Sequence, residues 1–174
     1  NIVKNPDWKL VYINEEAIIL VKNIPKNSAV ISKFSVTDKN AVDSTTFYLK
    51  DSNKSKTETG LTLSRVFYNM DWRAPAAYFA EEVIKLNPEN SRAYLYKGLA
   101  HAYYTDEKNQ QLAAKNIKQA IDLGLKESQY YYILGVVYMN LGRLESAREL
   151  FKEAIRLDKN NVQAQEFLDK YFSR

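Results

Sequence analysis

The alanines at positions 120 and 154 are 34 residues apart, and the same order of large and small side chains surrounds each of them. A fixed period of that length means that one supersecondary unit is built more than once and stacked on its neighbours. The sharpest copy runs from Ser128 to Asn161, where Tyr131, Leu134, Gly135 and Tyr138 are followed by Gly142 and then by Ala147, Phe151 and Ala154. Spacings of three and four put each group on one face of a helix. Gly135 and Ala154 are small enough to let two helices cross closely, while Tyr131, Leu134, Tyr138 and Phe151 fill the space around the crossing. Asn140-Leu141-Gly142 predicts the end of the first helix, with a glycine free to take a positive φ, and the second helix is predicted from about Leu144 to Leu157.

The preceding unit keeps this grammar with Tyr94 and Gly98, then Ala113, Ile117 and Ala120. Gly98 and Ala120 are 22 positions apart, against 19 between Gly135 and Ala154, so this unit carries three extra residues in its turn, around Thr105 to Asn109. A longer turn is expected to be exposed. One unit further back, Leu63, Ser64, Phe67, Ala76, Ala80 and Val83 fall in the same frame and Leu86-Asn87-Pro88 ends it, although Ser64 replaces the glycine and Gly60 the aromatic residue. Pro75 fits the first turn of a helix, where its missing N–H costs nothing. After the last unit, Val162 to Phe172 predicts one more amphipathic helix, with Val162, Phe167, Leu168 and Tyr171 available to cover the end of the stack.

These residues resemble the tetratricopeptide repeat, which has a large aromatic, Leu-Gly and Tyr on its first helix and a small-large-small set on its second; Lys159 departs from it where a proline is usual. The resemblance implies a mainly α fold, a tetratricopeptide-like α-α superhelix of three hairpins at about 57–90, 91–127 and 128–161 with a capping helix at 162–172, and a scaffold that performs no catalysis. Ligands of this repeat family lie along the concave surface formed by the first helices. The matching positions here are Arg65, Tyr68 and Asn69 in the first unit, Arg92, Leu95, Leu99 and Tyr103 in the second, and Gln129, Tyr132, Val136, Met139 and Asn140 in the third. An aromatic and aliphatic floor with two arginines suits a peptide or protein segment. A subset of the family grips the C-terminal carboxylate of heat-shock chaperones with a clamp of lysines, asparagines and arginine. Leu61 and Arg65 stand where its first Lys and Asn belong and Leu99 replaces the next Asn, which counts against a chaperone adapter.

Residues 1–56 do not follow the repeat. Trp8 to Ile13 and Ala17 to Val21 are β-branched and aromatic runs separated by Asn14-Glu15-Glu16, which predicts a β-hairpin over about 8–22. A lone hairpin is marginal, so it is expected to pack on a short helix near Ser28 to Phe34 or on a neighbouring domain. Asp7 to Tyr12, Glu15 to Lys22 and Pro25-Lys26-Asn27 together resemble the soluble tail after the last membrane helix of polytopic glycosyltransferases of the dolichyl-phosphate-mannose mannosyltransferase type. That likeness covers some 25 of 174 residues. It implies a parent transferase in the cytoplasmic membrane, with this domain outside it and the catalytic loops elsewhere, so no catalytic residue is carried over. The chain starts at Asn1 without an initiator Met or a signal-peptide pattern, and reads as a fragment or processed product.

The remaining features offer little chemistry. There are 25 Lys+Arg against 21 Asp+Glu, a net charge of +4, and the basic residues are scattered, unlike the stripe of a nucleic-acid binder. Cysteine is absent, no glycine-rich phosphate loop occurs, and no apolar run approaches a membrane span, so a soluble piece without cofactor or metal is expected, reaching a membrane only through an upstream region. His101 is the single histidine and stands where the repeat places Tyr, which favours packing or hydrogen bonding over catalysis. Glu15-Glu16 and Glu81-Glu82 are sequence neighbours that point apart, and Glu81 to Lys85 is spaced as an i,i+4 ion pair. Helical geometry splits Tyr130-Tyr131-Tyr132, sending Tyr131 into the hairpin core while Tyr132 can face either the core or the groove. Three readings stand: the partner-binding tail of a glycosyltransferase, a free-standing adapter, and a glycan-binding accessory domain.

Overall fold

The structure, a computed structural model, describes residues 5–13, 17–51 and 55–172. It divides into two compact units, residues 1–88 and 89–174, so the first hairpin of the repeat is grouped with the N-terminal segment. The fold class is the one expected from the repeat, helical hairpins of tetratricopeptide type preceded by a small β-hairpin. Asn14, Glu15 and Glu16, the expected hairpin turn and its carboxylates, lie outside the described residues.

In the first unit, β1 (Trp8–Ile13) and β2 (Ile18–Lys22) pair antiparallel. The register slips between Leu10 and Tyr12. One extra residue there restores Ile13 to the face of Leu10, which is why these two, three positions apart, are the buried pair of the strand. A 3₁₀ turn (Pro25–Asn27) leads into α1 (Ser28–Phe34), the short helix that packs on β1. The chain then returns to β1, where the Val36 N–H donates to the Leu10 carbonyl at 2.8 Å. α2 (Ala41–Asp51) follows and packs on α3 (Lys56–Asn69) and α4 (Arg73–Leu86). Ser55 caps α3 by accepting the Glu58 N–H at 3.1 Å. Phe67 stacks between Trp72 and Phe79, at centroid distances of 5.8 and 5.6 Å, to form the hairpin core. Ser64, in the small-residue position, is fully buried and donates its hydroxyl to the Ala76 carbonyl at 2.8 Å, so it bridges the crossing that glycine leaves open elsewhere.

The second unit contains α5 (Ser91–Ala102), α6 (Glu107–Asp122), α7 (Ser128–Asn140), α8 (Leu144–Leu157) and α9 (Val162–Phe172), each packed on the next. Ala113, Ala114, Ile117, Ile121, Leu134 and Val137 make one core, and Ala147, Phe151, Ala154 and Ala164 make another that receives the capping helix. Gly142 has φ +70°, the left-handed end foreseen for the first helix of its hairpin. The three-residue insertion leaves Tyr103 to Lys108 exposed, with Asp106 capping α6. The turn that lacks a proline at Lys159 is closed by side chains instead: Asp158 accepts the Asn160 N–H, and Asn161 caps α9 while donating to the Ser128 hydroxyl, which in turn donates to the Ala154 carbonyl. No helix among the described residues is long and apolar enough to cross a membrane.

Candidate partner-binding faces

The expected groove residues fall on the first helix of each hairpin, as the repeat frame requires, but the surroundings divide them. In the first unit, Arg65 and Asn69 are exposed on α3, whereas Tyr68 is half-buried with the Arg73 guanidinium 4.4 Å above its ring. Arg73 also pairs with Asp71 and donates to the Tyr68 carbonyl, so that stack is part of the α3–α4 turn.

In the second unit, Arg92 and Tyr103 are exposed at the two ends of α5, with Tyr103 keeping 66% of its surface in solvent. Its ring meets Tyr104 edge to face at 5.6 Å. Leu99 is half-buried against the first core of the unit. Leu95 is only 4% exposed, so it supports the helix from inside and offers nothing to a partner. On α7, Gln129 and Asn140 are exposed, and Tyr132, Val136 and Met139 are half-buried against the core that holds the capping helix. Tyr132, which the sequence leaves open between core and groove, lies 6.0 Å from Phe151 and 5.7 Å from Phe167, where α9 covers much of its ring. Asn140 has an internal duty as well, donating at 3.1 Å to Gln110. Gln110 is buried, and its own amide donates to the carbonyls of Ala102 and Tyr104, which fixes the insertion carrying Tyr103.

The other chemical candidates resolve into structure. His101 Nδ1 lies 2.8 Å from the Asn109 amide oxygen, a bond that steadies the same insertion. Lys85 pairs with Glu82 at 2.6 Å, one residue nearer than the i,i+4 partner expected from spacing. The Glu82 hydrogen bond and charge, with the Glu81 charge beside them, hold the Lys85 ammonium above the ordinary lysine range. Burial holds the phenols of Tyr130, Tyr131 and Tyr132 above the ordinary tyrosine range, and the nearby carboxylates of Glu127, Glu153 and Glu166 push in the same direction. A raised phenol favours the neutral form in the folded state. Stability from this source is therefore complete below about pH 10 and declines as pH rises through the folded values. Alkaline titration followed at the phenolate absorbance is expected to show part of the tyrosine signal ionising later in the native chain than in urea.

The sequence did not single out a second face. A cavity of about 580 Å³ opens between α6, α7 and α8, with Ile121, Leu134, Tyr138 and Leu150 among its walls and Glu145 and Glu149 at its rim. Tyr131 and Tyr138 belong to the repeat pattern as packing residues, and they are left half-buried because this hollow exposes one side of each ring. A periodicity argument assigns a side chain to a face and cannot tell whether the neighbouring helices close over it.

Residues 128–161 match the tetratricopeptide repeat model, which makes that segment a repeat of this type. A protein O-mannosyl-transferase of Caenorhabditis elegans, F38B6.6, is 30% identical over 83 residues, and the match takes in 48% of this chain and 12% of that protein's length. Among solved structures, MamA superposes with a TM-score of 0.62 at 22% identity, covering 86% of both chains. The first tetratricopeptide domain of Spaghetti (RPAP3), bound to the HSP90 peptide SRMEEVD, superposes with a TM-score of 0.57 at 19% identity, covering 66% of this chain and 93% of that one. At these identities the structural likeness establishes the fold.

Proposed function

We propose that this chain is a non-catalytic module that binds a protein or peptide segment, and that it forms the C-terminal soluble domain of a membrane glycosyltransferase. The observation that carries the first part is Tyr103, a large aromatic side chain kept two-thirds in solvent at the end of α5 by the Gln110 and His101 hydrogen bonds. Exposed, pre-positioned tyrosine and arginine are the usual anchors of an interface. Arg92, Leu99, Gln129, Val136, Met139 and Asn140 supply apolar floor and polar rim on the second unit, and Arg65, Tyr68 and Asn69 are the corresponding candidates on the first unit, taken by itself. Leu95 drops out because it is buried, and Tyr132 contributes only its open edge. Glycan binding loses support for the same reason, since its best stacking ring is taken by α9.

The bound segment is expected to be apolar with polar flanks. A neighbour of this fold holds SRMEEVD, yet Leu61 and Leu99 replace clamp residues here and cannot donate to a carboxylate. Panning a random peptide library on the chain should enrich sequences that compete for one site. Tyr103→Ala and Arg92→Glu change exposed side chains, and each is expected to weaken the enriched peptides by about tenfold in fluorescence polarisation, with SRMEEVD showing no saturable binding in the same range. Enriched peptides indifferent to both substitutions would overturn the assignment of the face.

The parent enzyme is supported by the N-terminal resemblance over Asp7 to Asn27 and by the named activity of the partial relative. Reading the coding region upstream of Asn1 tests it. A series of membrane spans ending shortly before Asn1 supports the transferase, and a short upstream region without spans leaves a free-standing adapter.

A further inference from the structure

We propose that the segment from Ala17 to Phe34 rests on an anionic lipid surface, a contact separate from the partner-binding reading and independent of it. Ile18, Ile19, Ile24, Val30 and Phe34 are 44, 49, 40, 42 and 51% exposed. They are five of the thirteen large hydrophobic side chains exposed among the described residues, and they fall within seventeen consecutive positions. Val30 and Phe34 are four apart on α1 and so share its outer face. Ile18 and Ile19 are consecutive in β2 and point to opposite sides, so a surface laid against the segment takes one of them and leaves the other in solvent. Lys22, Lys26 and Lys33 are interleaved with these residues and exposed, and no Asp or Glu occurs between positions 17 and 34. The Lys33 ammonium lies 5.1 Å from the centre of the Phe34 ring, so one cation and one large apolar group sit together at the surface.

This mixture discriminates between occupants. The core of a protein interface is depleted of lysine, because an ammonium loses its hydration there without gaining a fixed partner. A lipid interface takes the same mixture readily: the apolar side chains enter the boundary of the acyl chains, and the lysines stay hydrated among anionic headgroups. The net charge of the chain is only +4, whereas this segment alone carries three lysines and no carboxylate, so the attraction is concentrated where the apolar groups are.

The test is flotation of the 174-residue chain with vesicles of phosphatidylcholine alone and with about one-third phosphatidylserine, at ~0.1 M and ~0.5 M salt. Recovery with the anionic vesicles at low salt is expected, falling several-fold at high salt and remaining near background with phosphatidylcholine alone. Val30→Ser/Phe34→Ser and Lys26→Glu/Lys33→Glu alter exposed side chains, so circular dichroism should be unchanged while each pair lowers the bound fraction about tenfold. No recovery with anionic vesicles, or recovery that neither pair of substitutions reduces, would overturn the proposal. So would self-association without vesicle binding that Val30→Ser/Phe34→Ser abolishes, because the patch would then belong to a second copy of the chain.

Discussion

Truncating Phe151 to alanine is expected to lower the unfolding free energy by about 3–5 kcal/mol, measured by urea denaturation followed at the helical circular dichroism signal. The side chain is fully buried, and its ring is the point at which three elements of the second unit meet. It lies 5.3 Å from Phe167 and 6.3 Å from Phe172 on α9, and 6.0 Å from Tyr132 on α7. It also fills the space left by Gly135, since a Cβ built on that glycine would come within 2.6 Å of the ring. Removing the ring leaves a void that α7 and α8 cannot close without separating from their own neighbours. The capping helix should loosen first, because its aromatic side chains lose their shared partner. Near-ultraviolet circular dichroism and protease sensitivity around Phe167 should therefore change before global unfolding begins. A loss below about 1.5 kcal/mol would mean that the cluster repacks, and that Phe151 is not the anchor of the cap.

The hairpins from Thr57 onward were legible because their rules are local. A glycine or alanine at a crossing, large side chains three and four positions away, and a glycine after the first helix are all visible in one dimension, and α8 and α9 begin and end where the pattern places them. Features that depend on a partner elsewhere in the chain were not. α2 went unseen because Ala41 to Asp51 does not follow the repeat pattern, and its two threonines disfavour helix by their branched side chains. Thr45 and Thr46 hydrogen-bond instead to the carbonyls of Ala41 and Val42, one turn back, and α3 and α4 supply the packing that holds the helix. The bulge in β1 was hidden for a similar reason, since it shows only when Leu10 and Tyr12 are paired with β2.

The candidate face was legible as positions and less so as surfaces. The repeat frame puts Leu95 within α5 and Tyr103 just past its end with the same rule, yet one is buried and the other stands in solvent. The difference comes from what packs beside them, including a three-residue insertion whose conformation is set by Gln110 and Asn109. Likewise the sequence offers Tyr132 to either side, and the decision is made by Phe167, thirty-five residues later on the capping helix. Charge patterning was the feature most easily missed. The scatter of lysines over the whole chain conceals a stretch from Ala17 to Phe34 without a carboxylate, which becomes informative once its apolar side chains are seen to be exposed.

Gly98→Ala is expected to destabilise the chain by about 1–3 kcal/mol, although alanine is the better helix former by roughly 0.5–1 kcal/mol. The reason is the close crossing of α5 and α6. A Cβ at position 98 would lie 2.6 Å from Ile117 Cγ1, 2.9 Å from the Ile117 backbone nitrogen and 3.3 Å from the Ala113 carbonyl. Two of those three atoms are backbone of α6, so relief requires one helix to move away from the other. At Gly135 the three near atoms all belong to the Phe151 ring, which is itself fully buried and packed against Phe167 and Phe172, so the same substitution there should also destabilise the chain. Gly98→Val should exceed both, because a branched side chain enlarges the clash and is stiff in a helix. Gly142→Ala provides the contrast, with open space around it but φ at +70°, so its cost is conformational strain of about 1 kcal/mol at a turn. The two kinds of glycine then separate in binding as well as in stability. Moving α5 displaces Arg92, Leu99 and Tyr103 together, so Gly98→Ala should weaken the peptides enriched on this face even where the chain remains folded, while Gly142→Ala should leave their affinity unchanged. Gly98→Ala that stabilises the chain would show that the crossing can open freely, and that close helix approach does not position Tyr103.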